Sequence, residues 1–379
     1  MSEKRAIGPD VLRGLAILLV AATHMPGQMP PAFWTYWQQF GWLGVDIFFV
    51  LSGYLIGTEL LKPVHRGNAP DLRIFYLKRA FRILPAFWFV LALYAFPVMR
   101  EGPTMAPLWR FLTFTVNFGL DIRTARTFSH AWSLCVEEHF YLLLPMLILL
   151  FCKLNRSWVP FVFAGVVIAG GMWLRHSLWL GWYAHGALPA EFLKHIYYPS
   201  YCRIDGLLLG VLLAAVRLYH VDLWRQYARP ITLLPMAVVC FGITGTMNIQ
   251  DNQILSEIGS ILFYPVFSLG MALLLSALLD LEPRIQFMRC SGFSFIAAIS
   301  YSFYLSQKMV YHIDKLLLPE GWTTGWAAIV VFYITAIALA AVMHIAIEQP
   351  FMKLRNLILA RMKKPPQLPE TAFKSFTSD

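Results

Sequence analysis

Charge is scarce in this chain. Asp, Glu, Lys and Arg make up 14% of its 379 residues, where ordinary soluble domains carry about 25%, and the mean hydropathy is +0.58. Water is therefore excluded as the main solvent of most of the polypeptide. Cysteine is also sparse: Cys135, Cys152, Cys202, Cys240 and Cys290 stand singly, without the paired spacing of a disulfide framework or a zinc site, and they read as packing thiols. Missing too is any polar stretch long enough for a separate soluble domain. The polar start, MSEKRAIGPD, leads into an apolar stretch with no small-residue cleavage pattern, so the first apolar segment is read as a retained span and not as a removed signal peptide.

Long apolar segments fill the space that charge leaves. With about 20 residues needed to cross a bilayer, ten candidates emerge, over 9–26, 42–61, 83–99, 137–152, 158–174, 203–219, 230–248, 259–279, 294–312 and 325–347. Segment 106–120 is too short and too interrupted to span, and is expected to be re-entrant or interfacial. The expected fold is all-α, a polytopic transmembrane bundle of about ten spans over residues 1–355. Residues 356–379 should form a cytoplasmic tail, disordered after the prolines near 365. Lysine and arginine fix the expected orientation. With the N-terminus inside, the inner connections hold twenty-one of them and the outer ones eight, so both termini should be cytoplasmic. This asymmetry and contact with anionic lipid explain the net charge of +10, and no nucleic-acid partner is needed.

Ionisable groups inside apolar spans are costly, which makes each one a candidate for a site or a buried pair. Arg13 and His24 lie eleven residues apart in the first span, about three helical turns, so they share a face roughly 16 Å apart along the axis. Arg13 reads equally as a snorkelling cation partnered by Asp10 one turn away, and His24 as an interfacial histidine before Met25 and Pro26. Imidazole is, however, well suited to take a proton from a hydroxyl near neutral pH. In LKRAFRILP, Arg79 and Arg82 stand at i and i+3 on one helical face, a two-pronged clamp for phosphate or simply the basic end of a cytoplasmic helix. In SHAWSLCVEEHFYLLLP, the adjacent Glu137 and Glu138 point about 100° apart. Helix-dipole stabilisation with Ser133 as the cap accounts for them. A second reading has one of them orient His24, as in histidine–carboxylate pairs. Asp46, Arg203, Asp205 and Glu348 are further intramembrane polar groups, each a substrate contact or the partner of a buried neighbour.

In order along the chain, VLRGLAILLVAATH, GVDIFFVLSGYLI, KRAFRILPAFW, HAWSLCVEEHFYLLLP, RIDGLLLG, ISYSFYLS and IEQP together resemble the integral membrane acyltransferase-3 family, from about residue 8 to 355. The resemblance implies an acyl-CoA-dependent transferase of about ten helices that acylates hydroxyls of surface carbohydrate. Arg13 and His24 would be essential, and Arg79 and Arg82 would form the family's Arg-x-x-Arg element. At the end of the YSFYLS motif, where the family often has histidine, this chain has Gln307, to which no catalytic role is carried.

The expected function is thus an O-acyltransferase of the cell inner membrane. Its donor is an acyl-CoA, by default acetyl-CoA, used as co-substrate without a metal. The acceptor is a glycan or glycolipid such as lipopolysaccharide O-antigen or exopolysaccharide. Arg13, His24, Glu137 and Glu138 are the catalytic candidates, Arg13, Arg79 and Arg82 the CoA ligands, and Asp46, Arg203 and Asp205 the substrate contacts. The rival classes are a secondary transporter, which inverted repeats would betray and which show no convincing internal match, and a non-catalytic partner in glycan assembly.

Overall fold

The computed structural model describes residues 6–26, 32–154, 158–183, 189–227, 229–247, 249–250, 253–254, 256–285 and 292–363. Among these described residues, fifteen α-helices follow in order. They are α1 (Ile7–His24), α2 (Ala32–Phe40), α3 (Leu43–His65), α4 (Leu72–Leu93), α5 (Leu108–Leu112), α6 (Trp132–Leu154), α7 (Val159–Leu178) and α8 (Pro189–Phe192). After these come α9 (Asp205–Tyr219), α10 (Val221–Tyr227), α11 (Pro230–Gly245), α12 (Glu257–Asp280), α13 (Gly292–Leu317), α14 (Gly325–Met343) and α15 (Gln349–Lys363). The only strand pairing among the described residues is a two-residue antiparallel ladder between Ile249–Gln250 and Gln253–Ile254.

Each of the ten apolar stretches overlaps a helix. Among the described residues, six helical segments are long and apolar enough to cross a membrane by length and composition, at Ile7–His24, Trp37–His65, Ser129–Leu154, Val159–Gly181, Glu257–Asp280 and Gly325–Met362. Those holding α4, α9, α11 and α13 fall short because α4 and α13 carry polar side chains and α9 and α11 are short. A multi-pass membrane protein follows, and the outer surface agrees with it. Leu142, Leu143, Met146 and Leu150 of α6 and Val238 and Val239 of α11 are exposed, an apolar belt suited to lipid and costly in water.

Local chemistry places the ends. At the start of α1 the orphan amides of Ile7 and Gly8 are met by the Glu282 carboxylate, at 2.8 and 3.3 Å, a negative charge where the helix dipole favours one. The helix stops at His24 because Met25 turns extended before Pro26. Asp71 caps α4, its carboxylate accepting from the Ile74 amide at 3.0 Å. Ser133 does not cap α6, contrary to expectation. A 3-10 turn over Ser129–Ala131 leads directly into the helix at Trp132, so Ser133 falls inside it and its hydroxyl pairs with Tyr304 instead. The boundary expected at 355 lies within α15, which runs on to Lys363 because no helix breaker occurs before Pro365. The disordered tail expected after that point lies outside the described residues.

Small residues set the packing that positions the site. Gly53 on α3 and Gly210 on α9 let the two backbones nearly touch, with Gly57 against Val211 and Gly206 against Phe49. A Cβ at Gly53 would come 2.0 Å from the Leu207 carbonyl oxygen, and one at Gly210 2.3 Å from that of Val50. Helix α1 runs beside α3, α12 and α13, so Arg13 and His24 sit inside the bundle at different depths.

Candidate active site

Two cavities adjoin inside the bundle, and Val45 and Tyr304 line both. The larger, about 1340 Å³, exceeds the ~300–1,000 Å³ of a pocket for a drug-sized molecule. Its walls include Arg13 from α1, Arg79 and Arg82 from α4, Arg217 from α9 and Arg355 from α15. Carboxylates temper that charge. Glu59 on α3 accepts from Lys78 at 2.8 Å and from Arg79 at 2.5 Å, and Asp10 lies 3.6 Å from Arg13. Trp224, whose ring lies 5.3 Å from the Arg217 guanidinium carbon, adds an aromatic wall.

The smaller cavity, about 60 Å³, is lined by His24, His130, Trp42, Trp132, Tyr197 and Tyr198 among others. The His24 ring stands 5.7 Å from that of His130, and its Nδ1 is 3.1 Å from Gln307 Nε2 on α13. Tyr304 forms the partition between the two spaces. Its hydroxyl donates to the His130 carbonyl at 2.6 Å and pairs with Ser133 Oγ, also at 2.6 Å. On the far side the chamber is roofed by the connection between α4 and α6. Lys308 on α13 holds this roof through Glu101 and Ser129, both at 3.1 Å. Glu101 in turn accepts from the Phe128 amide at 2.9 Å, fixing Phe128 in a left-handed turn. Next to it, Arg123 binds Asp121 and, at 2.7 Å, Glu191. Those hydrogen bonds hold both carboxyls below the ordinary carboxylate range.

An arginine-lined cavity large enough for a nucleotide-bearing thioester, set across Tyr304 from a paired-histidine chamber, is an arrangement suited to group transfer. The sequence profile of the acyltransferase-3 family, an acyltransferase domain, matches residues 7–345. The chain belongs to that family. Among curated proteins it is 27% identical to the peptidoglycan O-acetyltransferase OatA of Listeria monocytogenes over 93% of this chain and 56% of that protein. It is 24% identical to the O-acetyltransferase OatA of Staphylococcus aureus over 91% and 57% respectively. A putative O-acetyltransferase of Staphylococcus aureus strain COL is 30% identical over 55% of this chain and 34% of its own length. The chain thus spans about half the length of the curated relatives it matches. No solved structure matches it.

Within this acyltransferase-3 frame the expected residues divide into three groups. Arg13, Arg79 and Arg82 meet around the large cavity, and Glu137 and Glu138 join them there. The two glutamates do not reach the His24 chamber. Glu137 accepts from Tyr141 Oη and, at 3.1 Å, from Ser52 Oγ, so it is the Gln307 amide that contacts the His24 ring. Asp46, Arg203 and Asp205 line neither cavity. Arg203 donates to Asp46 at 2.8 Å and lies 3.8 Å from the centre of the Tyr264 ring. Asp205 is bound by Arg175 at 2.8 and 3.2 Å, and Arg175 also donates to the Cys202 and Ile261 carbonyls. These side chains form a double ion pair that ties α3, α7, α9 and α12 together. Glu348 is consumed in the same way, by Ser302 and by His344 at 2.9 Å.

Sequence reasoning passed over His130, Gln307, Tyr304, Lys308 and Arg175. Two of these had a visible signal. His130 opens the HAWSL motif, and Gln307 stands at the one departure noted from the family pattern. Nothing in spacing alone reveals that α13 brings Tyr304 and Gln307 to the end of α1. Among the described residues no three His, Cys, Asp or Glu side chains gather as a metal site would require.

Proposed function

We propose that this chain transfers an acetyl group from acetyl-CoA to a hydroxyl of a cell-surface glycan, working in the inner membrane with the arginine-lined cavity open to the cytoplasm. The observation that carries this reading is adjacency: the arginine-lined cavity and the His24 chamber share Val45 and Tyr304, so a thioester anchored by its phosphates in the one lies a single side chain from the imidazoles of the other. Arg13, Arg79 and Arg82 suit the phosphates, and the rise along α1 between Arg13 and His24, roughly 16 Å, suits the pantetheine arm. The chamber itself is walled by Trp and Tyr side chains, apolar faces of the kind sugar rings stack on, and its size favours a short acyl group. The relatives bear the name O-acetyltransferase, one of them with peptidoglycan as its acceptor. On that basis acetyl is the acyl group and a cell-wall or exported polysaccharide the acceptor class, with O-antigen and exopolysaccharide belonging to the same chemistry.

In the reaction the acceptor hydroxyl gives up its proton to an imidazole of the chamber, and its oxygen forms an ester bond to the acyl carbon. The carbon–sulfur bond breaks, and CoA leaves as the thiol once the proton reaches sulfur. Both substrates held at one junction supply the proximity that the step needs. The test is acceptor-dependent release of CoA from acetyl-CoA by the purified protein. Wild type should release CoA only with glycan present, and His24→Ala should abolish release while the protein accumulates normally. Wild-type rates from His24→Ala would refute the reading.

A further inference from the structure

The chamber contains two imidazoles, and their hydrogen bonds give them opposite characters. His130 Nε2 lies 3.3 Å from the Leu305 carbonyl oxygen. A carbonyl can only accept, so Nε2 carries the proton and, in the neutral ring, Nδ1 carries a lone pair. That Nδ1 is buried and has no partner among the described residues. The residue is held at both ends: by Leu305 at the ring and by the Tyr304 hydroxyl at the main-chain carbonyl. His130 is 2% exposed and lines the same cavity as His24. Leaving a buried acceptor unpaired is costly, and a substrate donating a hydrogen bond would recover that cost. His24 is the complement. Its Nδ1 is engaged by the Gln307 side-chain amide at 3.1 Å; with the amide N–H donating, the His24 proton sits on Nε2 and makes that nitrogen a donor.

The geometry points to a division of labour: His130 Nδ1 is the base that takes the proton of the acceptor hydroxyl, and the His24 Nε2–H is a hydrogen-bond donor to the thioester carbonyl oxygen. The inference rests on the acyl-transfer reading above and refines it. The hydroxyl oxygen loses its proton to His130 and bonds to the acyl carbon. Negative charge gathering on the carbonyl oxygen is met by the His24 N–H, a neutral electrophile that need not give its proton away. The carbon–sulfur bond breaks, and the proton held on His130 passes to the departing thiolate, so one proton serves the whole cycle. Gln307 is then a positioning residue: it fixes the tautomer of His24 without touching substrate.

The test is His130→Gln. The side-chain amide keeps an N–H for the Leu305 carbonyl and removes the basic nitrogen, so a merely structural role is preserved and a catalytic one is lost. We expect kcat for acceptor-dependent CoA release to fall about 100-fold or more, with KM for acetyl-CoA within about threefold of wild type. Retention of half or more of wild-type kcat would overturn the assignment. If His130→Gln does not accumulate in membranes, His130→Ala assayed with added imidazole takes its place. Restoration of turnover by free imidazole supports the base role, and no restoration overturns it. His24→Ala run in parallel separates the two levels. Inactive His24→Ala beside active His130→Gln removes only this division of labour, whereas activity in both removes imidazole catalysis altogether and no acceptor-dependent release from wild type removes the transferase reading itself.

Discussion

An arginine in a membrane protein can be a ligand or a strut, and the two kinds respond differently to loss. Arg203 and Arg175 are struts. Each is fully buried, bonded to a carboxylate and set against an aromatic ring. Cutting such a pair strands a buried charge and costs about 3–5 kcal/mol, so Arg203→Ala should lower the amount of folded protein. Arg79 and Arg82 line the large cavity, where an incoming phosphate can replace or join their present neighbours. The double variant Arg79→Ala with Arg82→Ala should fold normally and bind acetyl-CoA about 10- to 100-fold more weakly, from charge-assisted bonds of ~1.5–3 kcal/mol each. Titration of the purified protein with acetyl-CoA measures this, and an unchanged affinity would leave the two arginines with a topological role alone.

Helix α1 carries the reaction coordinate of the proposed site, and α3 with α9 holds it in place. Legibility from sequence followed the same division. The shared face of Arg13 and His24 was visible as a period, because both lie on one uninterrupted helix. Arg79 and Arg82 were visible for the same reason. What could not be read was contact between helices distant in the chain: Gln307 at His24, Tyr304 at His130, Arg175 at Asp205. The expected partnership of Glu137 with His24 illustrates the difficulty. With the N-terminus inside, the expected topology puts the end of the first span at His24 and the start of the 137–152 span on the same side. Yet one helical turn along α6 separates Ser133, at the partition between the cavities, from Glu137 in the arginine-lined space. At the α3–α9 crossing, Gly53→Ala would thrust a methyl group into the Leu207 carbonyl. Overpacking of this kind costs about 1–3 kcal/mol, and a Gly53→Ala protein in detergent should melt several degrees below wild type. An equal melting temperature would show that the helices part without cost.

Over the whole molecule, the fold brings two half-sites of unlike chemistry to one partition. Arginines, lysines and carboxylates line one, and imidazole and aromatic rings line the other. The excess of lysine and arginine in one set of connections is the basis for our proposal that the arginine-lined cavity faces the cytoplasm. That is the side on which a charged thioester would be met, and surface carbohydrate would be met on the other.

Sidedness is therefore the central claim, and sealed vesicles carrying the protein in a known orientation test it most directly. With radiolabelled acetyl-CoA supplied only outside and glycan acceptor enclosed within, inverted vesicles should acetylate the acceptor and right-side-out vesicles should not. Equal labelling from either orientation, or labelling from right-side-out vesicles alone, would contradict the account.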